Sequence, residues 1–471
     1  MEFGGWIKAH TLDLSGHSIT VLRNRAFRGI IPKRILLQNN NISIIERNAF
    51  VDVAIVIEEL DLSSNDLVQL PQGLDKLVAL KTLKLAGNTK LKLERGSFRG
   101  LASLETLDLH GCYMNTLPDG TFDGIKGTLR KLDIIFNELE SIPTAIRQLR
   151  NLEEVDFDSN PLSYVPAKAF RGMNKLKKLT LSRHDFSKPD SIHPLAFVDV
   201  APTLENLDFY HSDITVYPAK ALAPLKKLKS LSFNSNNIHT FPPKAFQPLD
   251  SLEELTLDGN IFEFSREMFD GITDTLTMLS IRDMRLTELP LHELAVLDNL
   301  QWLDASSNDF TSLPDNFTQG LHARRYTLNW MNIADVSPLA FVWNNGPVHV
   351  SLNDNKMKSL SFITDPCMYD YVGVTENPLV CDCYVFNIAL SHYVQVEATC
   401  AAPPLYAKMN VEDVASTERA RRKCGNMRTK TCPKRDKLYY HYNSSSRAVL
   451  REHSVILSLT TLLIGQCIFT L

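Results

Sequence analysis

One line of sequence recurs along most of the chain. Leu80 opens LKTLKLAGN, Leu104 opens LETLDLHGC, Leu152 opens LEEVDFDSN, Leu228 opens LKSLSFNSN and Leu252 opens LEELTLDGN. The same phase starts at residues 9, 32, 57, 80, 104, 129, 152, 176, 204, 228, 252, 276, 300, 323 and 347, which makes fifteen lines, nearly all 23 to 25 residues apart. One line, 176 to 203, is longer; it carries an insertion near Lys188–Pro194 that reads as a candidate contact loop. Self-similarity at this spacing constrains a fold more tightly than composition does. A single unit cannot bury its own apolar side chains, so each must stack on a copy of itself.

The alternation L-x-L has the period of a short strand with one face buried. Asn stands at the ninth position of nine lines, from Asn40 to Asn355. A side-chain amide there can donate to and accept from the backbone of neighbouring coils, satisfying turn groups that would otherwise be buried without partners. A Phe recurs eighteen residues after the line start, at Phe27, Phe50, Phe98, Phe122, Phe170, Phe246 and Phe341. Stacked across coils, these rings should build an aromatic spine on the convex side. The pattern L-x-x-L-x-L-x-x-N-x-L resembles that of leucine-rich repeats. The expected fold is therefore α/β, a leucine-rich-repeat solenoid (horseshoe) over residues 9–376, with a parallel strand from each coil on its concave face.

An array exposes the apolar faces of its end coils and needs caps. NPLVCDCYVF places Cys381 and Cys383 one residue apart, and Cys400 and Cys424 follow. Four thiolates could bind zinc, but a one-residue gap is poor for a tetrahedral clamp, whose ligand pairs usually come as C-x₂₋₄-C. Spacing does not fix the connectivity. The run closely resembles the cysteine-rich C-terminal cap of extracellular leucine-rich-repeat proteins, here residues 377–424. That resemblance implies the pairs Cys381–Cys400 and Cys383–Cys424. Cys367 and Cys432 flank the cap and are candidates for a third bridge, while Cys112 reads as a small buried thiol at the Asn-ladder position. Clustered cysteines suggest an oxidising compartment.

The termini pull in different directions. Residues 1–8, MEFGGWIK, have no basic start, apolar core or cleavage site, so they are no signal peptide, and no capping cysteine precedes the first line. The expectation is a truncated chain with an N-terminal remnant; the alternative is a cytosolic protein with reduced cysteines. Residues 425–446 read as a basic and polar stalk. The small triplet at Ser444, the spacer RAVLREHS and the uncharged VILSLTTLLIGQCIFTL within residues 447–471 form a glycolipid-anchor signal. A transmembrane helix is the alternative, at the short limit of spanning length. An anchor of either kind places the protein on the extracellular face of the plasma membrane, with secretion as the other possibility. Sequons occur at Asn41, Asn316 and Asn443, the last very close to the anchor site.

A net charge of −4 with the signs well mixed lacks the basic footprint of a nucleic-acid binder. No phosphate-cradling loop, nucleophile elbow or H-E-x-x-H occurs, and paired acids such as Glu58–Glu59, Glu153–Glu154 and Glu253–Glu254 read as a surface preference of the repeat. Neither catalysis nor a cofactor is expected. Recognition should fall on the concave face. Its fifth position holds Asp13, Asp61, Asp108, Asp133, Asp156, Asp208 and Asp304, an acidic stripe generic to such repeats. Rarer are Arg282, Trp302, Arg325 and Trp330, outward positions in successive coils and of residue types enriched at interface hot spots. Phe136 with Tyr210 and His211 form a second, weaker candidate.

In layout the chain is similar to the glycolipid-anchored adhesion proteins chaoptin and connectin, and its repeats are similar to the non-catalytic leucine-rich subunit of crustacean luciferase. The resemblance implies a cell-surface adhesion or recognition protein binding a protein partner, itself or another. The alternatives are a receptor that signals through a co-receptor, or a secreted non-catalytic subunit of an enzyme complex.

Overall fold

The structure, a computed structural model, describes residues 7–344, 346–391 and 393–424. Cys432, Asn443, Ser444, the stalk 425–446 and the tail 447–471 with its Cys467 lie outside the described residues, as do residues 1–6.

Each line contributes one short strand to a single 17-stranded sheet. Within it, every neighbouring pair runs parallel and joins one coil to the next, as in Thr106↔Lys131 and Lys131↔Glu154. Most strands are three residues long, such as Thr106–Asp108 and Trp302–Asp304. Alternation explains the core. Leu80, Leu83 and Leu85 of one line are fully buried, as are Leu104, Leu107 and Leu109 of the next, while the residues between them face the concave side. Returning segments carry only short helical turns, such as Thr144–Gln148 and Ala219–Leu222. The fold is thus a mostly parallel β-solenoid of the leucine-rich-repeat kind with a disulfide-bonded C-terminal region.

The Asn ladder works through both ends of the amide. Asn65 donates to Leu37 O at 3.0 Å and Leu62 O at 2.9 Å, and its oxygen accepts from Ile42 N at 2.9 Å. Where the ladder lacks Asn, other groups substitute: Ser212 donates to Leu181 O at 2.9 Å, and Cys112 points its thiol at Leu85 O, 3.3 Å away. Burial pushes the Cys112 thiol up to about 12, so it is an inert core group. Close coil-to-coil approach also explains the convex glycines. Gly100 has φ +86°, and a side chain there would meet Asp75 O at 2.0 Å.

The aromatic spine exists in segments. Phe27 stacks on Phe50 with centroids 5.4 Å apart, Phe98 on Phe122 at 5.9 Å and Phe170 on Phe197 at 5.8 Å. It breaks where the equivalent positions carry Asp75 and Arg147, polar residues that cannot take a place in an apolar stack. The insertion is half folded in. Ser191 and Ile192 are buried, and Ile192 bridges Val165 of the preceding coil. Ser187–Asp190 stand out as exposed residues, as do Pro194 and Leu195.

The array runs one coil beyond the fifteen lines. Tyr369–Gly373 pairs with Val348–Ser351, and Asn377 donates to Leu352 O at 2.8 Å as the next ladder residue. Tyr369 takes the usual leucine place at the head of this line, which hides it from a leucine pattern. Gln395–Glu397 then adds the last strand from within the C-terminal region. Here Cys381 is bonded to Cys400 and Cys383 to Cys424. Cys367 is also disulfide-bonded. The helix Cys383–Ala389 is capped by Asp382, which accepts from the backbone of Tyr384 and Val385 at 3.0 Å. Its Val385 and Phe386 are buried, as are Val411 and Val414 of the following helix, so the end of the core is covered by apolar side chains.

Candidate protein-binding surface

The acidic stripe has a structural explanation. All seven aspartates at the fifth position accept a hydrogen bond from the backbone N–H two residues on, from Asp13–Ser15 at 2.9 Å to Asp304–Ser306 at 3.0 Å. Each closes an Asx turn that ends its strand. Several lie deep in the concave floor, and burial pushes Asp156 up to about 6. The stripe is therefore part of the repeat's framework.

A second pattern escaped the sequence reading. The second position of successive lines reads Lys33, Glu58, Lys81, Glu105, Arg130, Glu153, Lys177, Glu205, Lys229, Glu253, a strict alternation of sign over ten coils. The structure turns it into ion pairs between coils. Glu58 lies 2.6 Å from Lys33 and 2.9 Å from Lys81, and Glu153 is 2.5 Å from Arg130 and 3.5 Å from Lys177. A parallel row one residue on places Glu154 3.2 Å from both Lys131 and Lys178. The pairs Glu58–Glu59 and Glu153–Glu154 are thus rungs of two charge ladders, legible only when the lines are read down the column.

Hydrogen bonds from Lys33 and Lys81, then their charges, hold the Glu58 carboxyl down to about 2. Its folded pKa is depressed, so its contribution to stability is present above about pH 4.5, its ordinary value, and is lost as pH falls toward about 2. Glu58→Gln should therefore lower the urea midpoint at neutral pH, and the gap to wild type should close between about pH 4.5 and 2. A gap unchanged at pH 2 would refute this assignment.

Beyond Glu253 the alternation stops, and the concave face changes character. The third position of the last coils reads Met278, Trp302, Arg325, His349 and Tyr371, in register on adjacent strands. The Arg325 guanidinium lies 5.4 Å from the Trp302 ring centroid, and the indole N–H of Trp302 donates to Thr327 Oγ1 at 2.9 Å. His349 stacks on Tyr371 at 4.1 Å with an interplanar angle of 11°. The Tyr371 hydroxyl in turn donates to Glu397 at 2.5 Å. Burial, then the nearby Arg325 charge, holds His349 down to about 3, so it is neutral at physiological pH. On the far side of the stripe, Arg282 lies 5.5 Å from the Trp330 centroid. Trp330 is 56% exposed, whereas Trp302 and Arg325 are half-buried.

The four residues thus form two cation–π pairs, Trp302–Arg325 and Arg282–Trp330. His349, Tyr371 and Glu397 extend the first pair toward the cap; the sequence reading passed over His349 in the fifteenth line and missed Tyr371 because the sixteenth line was not counted. The weaker candidate divides. Phe136 packs edge-on against His110 at 5.3 Å, while Tyr210 lies beside His211 and beneath Arg183. No ring contact joins Phe136 to Tyr210 or His211. Asn41 and Asn316 are both exposed, and Asn316 Oδ1 accepts from the Trp343 indole at 2.8 Å. Among the described residues, no group of three His, Cys, Asp or Glu side chains could hold a metal, and no helix is long and apolar enough to cross a membrane.

Comparison with known proteins finds leucine-rich repeats in this chain. Profiles described as leucine rich repeat match residues 55–114, 78–127, 127–186 and 202–262, with a further match at 299–320. Keratocan of Gallus gallus is 31% identical over 161 residues, 34% of this chain and 43% of that protein. Toll-like receptor 8 of Homo sapiens is 27% identical over 36% of this chain and 18% of its own length. Among solved structures, that of the Toll–Spatzle complex of Drosophila is similar with a TM-score of 0.55 and 20% identity, covering 82% of this chain and 57% of the matched one. A leucine-rich-repeat protein of Leptospira interrogans gives 0.57 and 23%, covering 79% of this chain and 91% of that one. The chain spans less than half the length of these curated relatives. These matches agree with the leucine-rich-repeat solenoid fold of the chain.

Proposed function

We propose that this protein is a non-enzymatic cell-surface adhesion or recognition protein that binds a protein partner through the C-terminal half of its concave face. The observation that carries the reading is the pair of cation–π contacts, Trp302–Arg325 and Arg282–Trp330, with the His349–Tyr371 stack beside them. Large aromatic and arginine side chains held in fixed positions lose little entropy on binding and dominate interface energetics. Residues 377–424 act as the cap, residues 447–471 direct attachment of a glycolipid anchor at Ser444, and Asn41 and Asn316 carry glycans. An adhesion role of the chaoptin and connectin kind fits this layout. A ligand-binding receptor or co-receptor is the second reading, favoured by relatives whose names carry that word, Toll-like receptor 8 and a leucine-rich repeat-containing G-protein coupled receptor of Rattus norvegicus.

The test is clumping of non-adhesive cells that display the full chain behind a borrowed signal peptide. Wild-type cells should clump. Cells with equal surface levels of Trp302→Ala should lose most of it, since truncating a hot-spot aromatic costs about 2 kcal/mol or more. Well-displayed wild-type cells that stay single would sink self-adhesion and leave the receptor reading. Clumping unaffected by Trp302→Ala would move the site elsewhere.

A further inference from the structure

Resting on that reading of the concave face, we infer that Arg325 is a recognition point for a carboxylate, so that the partner presents an acidic side chain within an otherwise apolar or aromatic protein segment. The contrast with the rest of its column carries the inference. Three other basic residues stand at the third position of a line, and each meets a glutamate: Arg34 lies 2.7 Å from Glu59, and Lys131 and Lys178 each lie 3.2 Å from Glu154. Arg325 alone has no such partner; among the described residues, no carboxylate comes within ion-pair distance of it. Its flanking positions are Trp302 and His349, an indole and an imidazole that is neutral at physiological pH.

The guanidinium is also half-buried, which raises the cost of leaving it unpaired and strengthens any ion pair formed there. Arg325 packs over the Trp302 ring, and the hydrogen bond to Thr327 holds Trp302, so the contact restricts the guanidinium before a ligand arrives. Planar donors beside aromatic faces suit bidentate pairing with a carboxylate. Arg282, the other arginine of the surface, does not offer the same site, because the charges of Asp258 and Asp304 already lie near it.

A single carboxylate fits better than a polyanion. A sulfated glycan needs a run of cations, whereas the concave floor behind Arg325 carries the aspartate stripe, and the basic residues of the two ladders are already paired with glutamates.

The test uses the full chain, purified in detergent and immobilised through an N-terminal tag, as bait for a phage-displayed library of random peptides. Enriched peptides should carry Asp or Glu next to aromatic or apolar residues. Their affinity should fall at least about tenfold for Arg325→Gln, recover partly in Arg325→Lys, and be unchanged in Arg130→Gln. Thermal unfolding of each variant checks that the fold is intact. Enriched peptides without acids whose binding is lost in Trp302→Ala would overturn the inference and leave the protein-binding reading standing. A library that never enriches would overturn the inference, as would heparin that binds more tightly than any peptide and depends on Arg325.

Discussion

Asn160→Ala is expected to lower the unfolding free energy by about 3–5 kcal/mol. The side chain is buried at 2% exposure, and its amide donates to Ile134 O and Phe157 O, both at 2.9 Å, while its oxygen accepts from Leu139 N at 3.1 Å. Alanine leaves three backbone groups facing a dry interior, each costing about 1–3 kcal/mol when unpaired. The position lies mid-array, so neither end can fray to let water in. Asn160→Ser should cost distinctly less, because Ser212 shows that a hydroxyl at this place reaches the carbonyl of the preceding coil. Urea unfolding followed by circular dichroism measures both. A loss below about 1 kcal/mol for alanine would mean that the ladder amides merely replace equivalent solvent contacts.

The second large effect belongs to the C-terminal region. Replacing Cys383 and Cys424 together by alanine opens a cross-link between residues 41 apart in sequence, worth about 3–4 kcal/mol by loop-closure entropy. The loss should be local in its consequences. The bridge ties the helix Cys383–Ala389 to the last described helix, Glu418–Cys424, over the apolar end of the array. A solenoid's stability is a sum of coil and nearest-neighbour terms, so loosening one end lowers protection there first. Amide hydrogen exchange should speed up along Tyr369–Gly373 and Val348–Ser351 and stay slow along Glu154–Asp156. Equal acceleration in all three strands would mean that the array unfolds as one unit; no acceleration would mean that apolar packing alone covers the end.

The same one-dimensional character explains what was legible in the sequence. A period fixes which residues stand in one column, so the strands, the buried leucines and the ladder of amides could all be read from Leu80 or Leu252 onward. Register also predicted that Arg282, Trp302, Arg325 and Trp330 share one surface. It did not predict their pairing, because that depends on which way each side chain turns within its column. Trp302 and Arg325 stand in register on neighbouring strands and meet directly. Arg282 instead spans two coils to reach Trp330. The sixteenth coil stayed hidden because Tyr369 fills a leucine site, and with it went Tyr371, the ring on which His349 stacks. The aspartate stripe was visible as charge, yet its role is conformational: each carboxylate is occupied by its own turn. The alternating second position was missed because it carries no signal within a line; only comparison between lines reveals it.

That alternation restricts how such an array can lengthen or shrink. A duplicated or deleted pair of coils returns Lys beside Glu at the join and leaves every rung intact. Loss of a single coil between Lys33 and Glu253 brings two like charges to the separation of adjacent strands, so each change of odd count leaves a repulsive seam. The ladder therefore sets a parity rule on this part of the protein: over these ten coils its length is counted in twos.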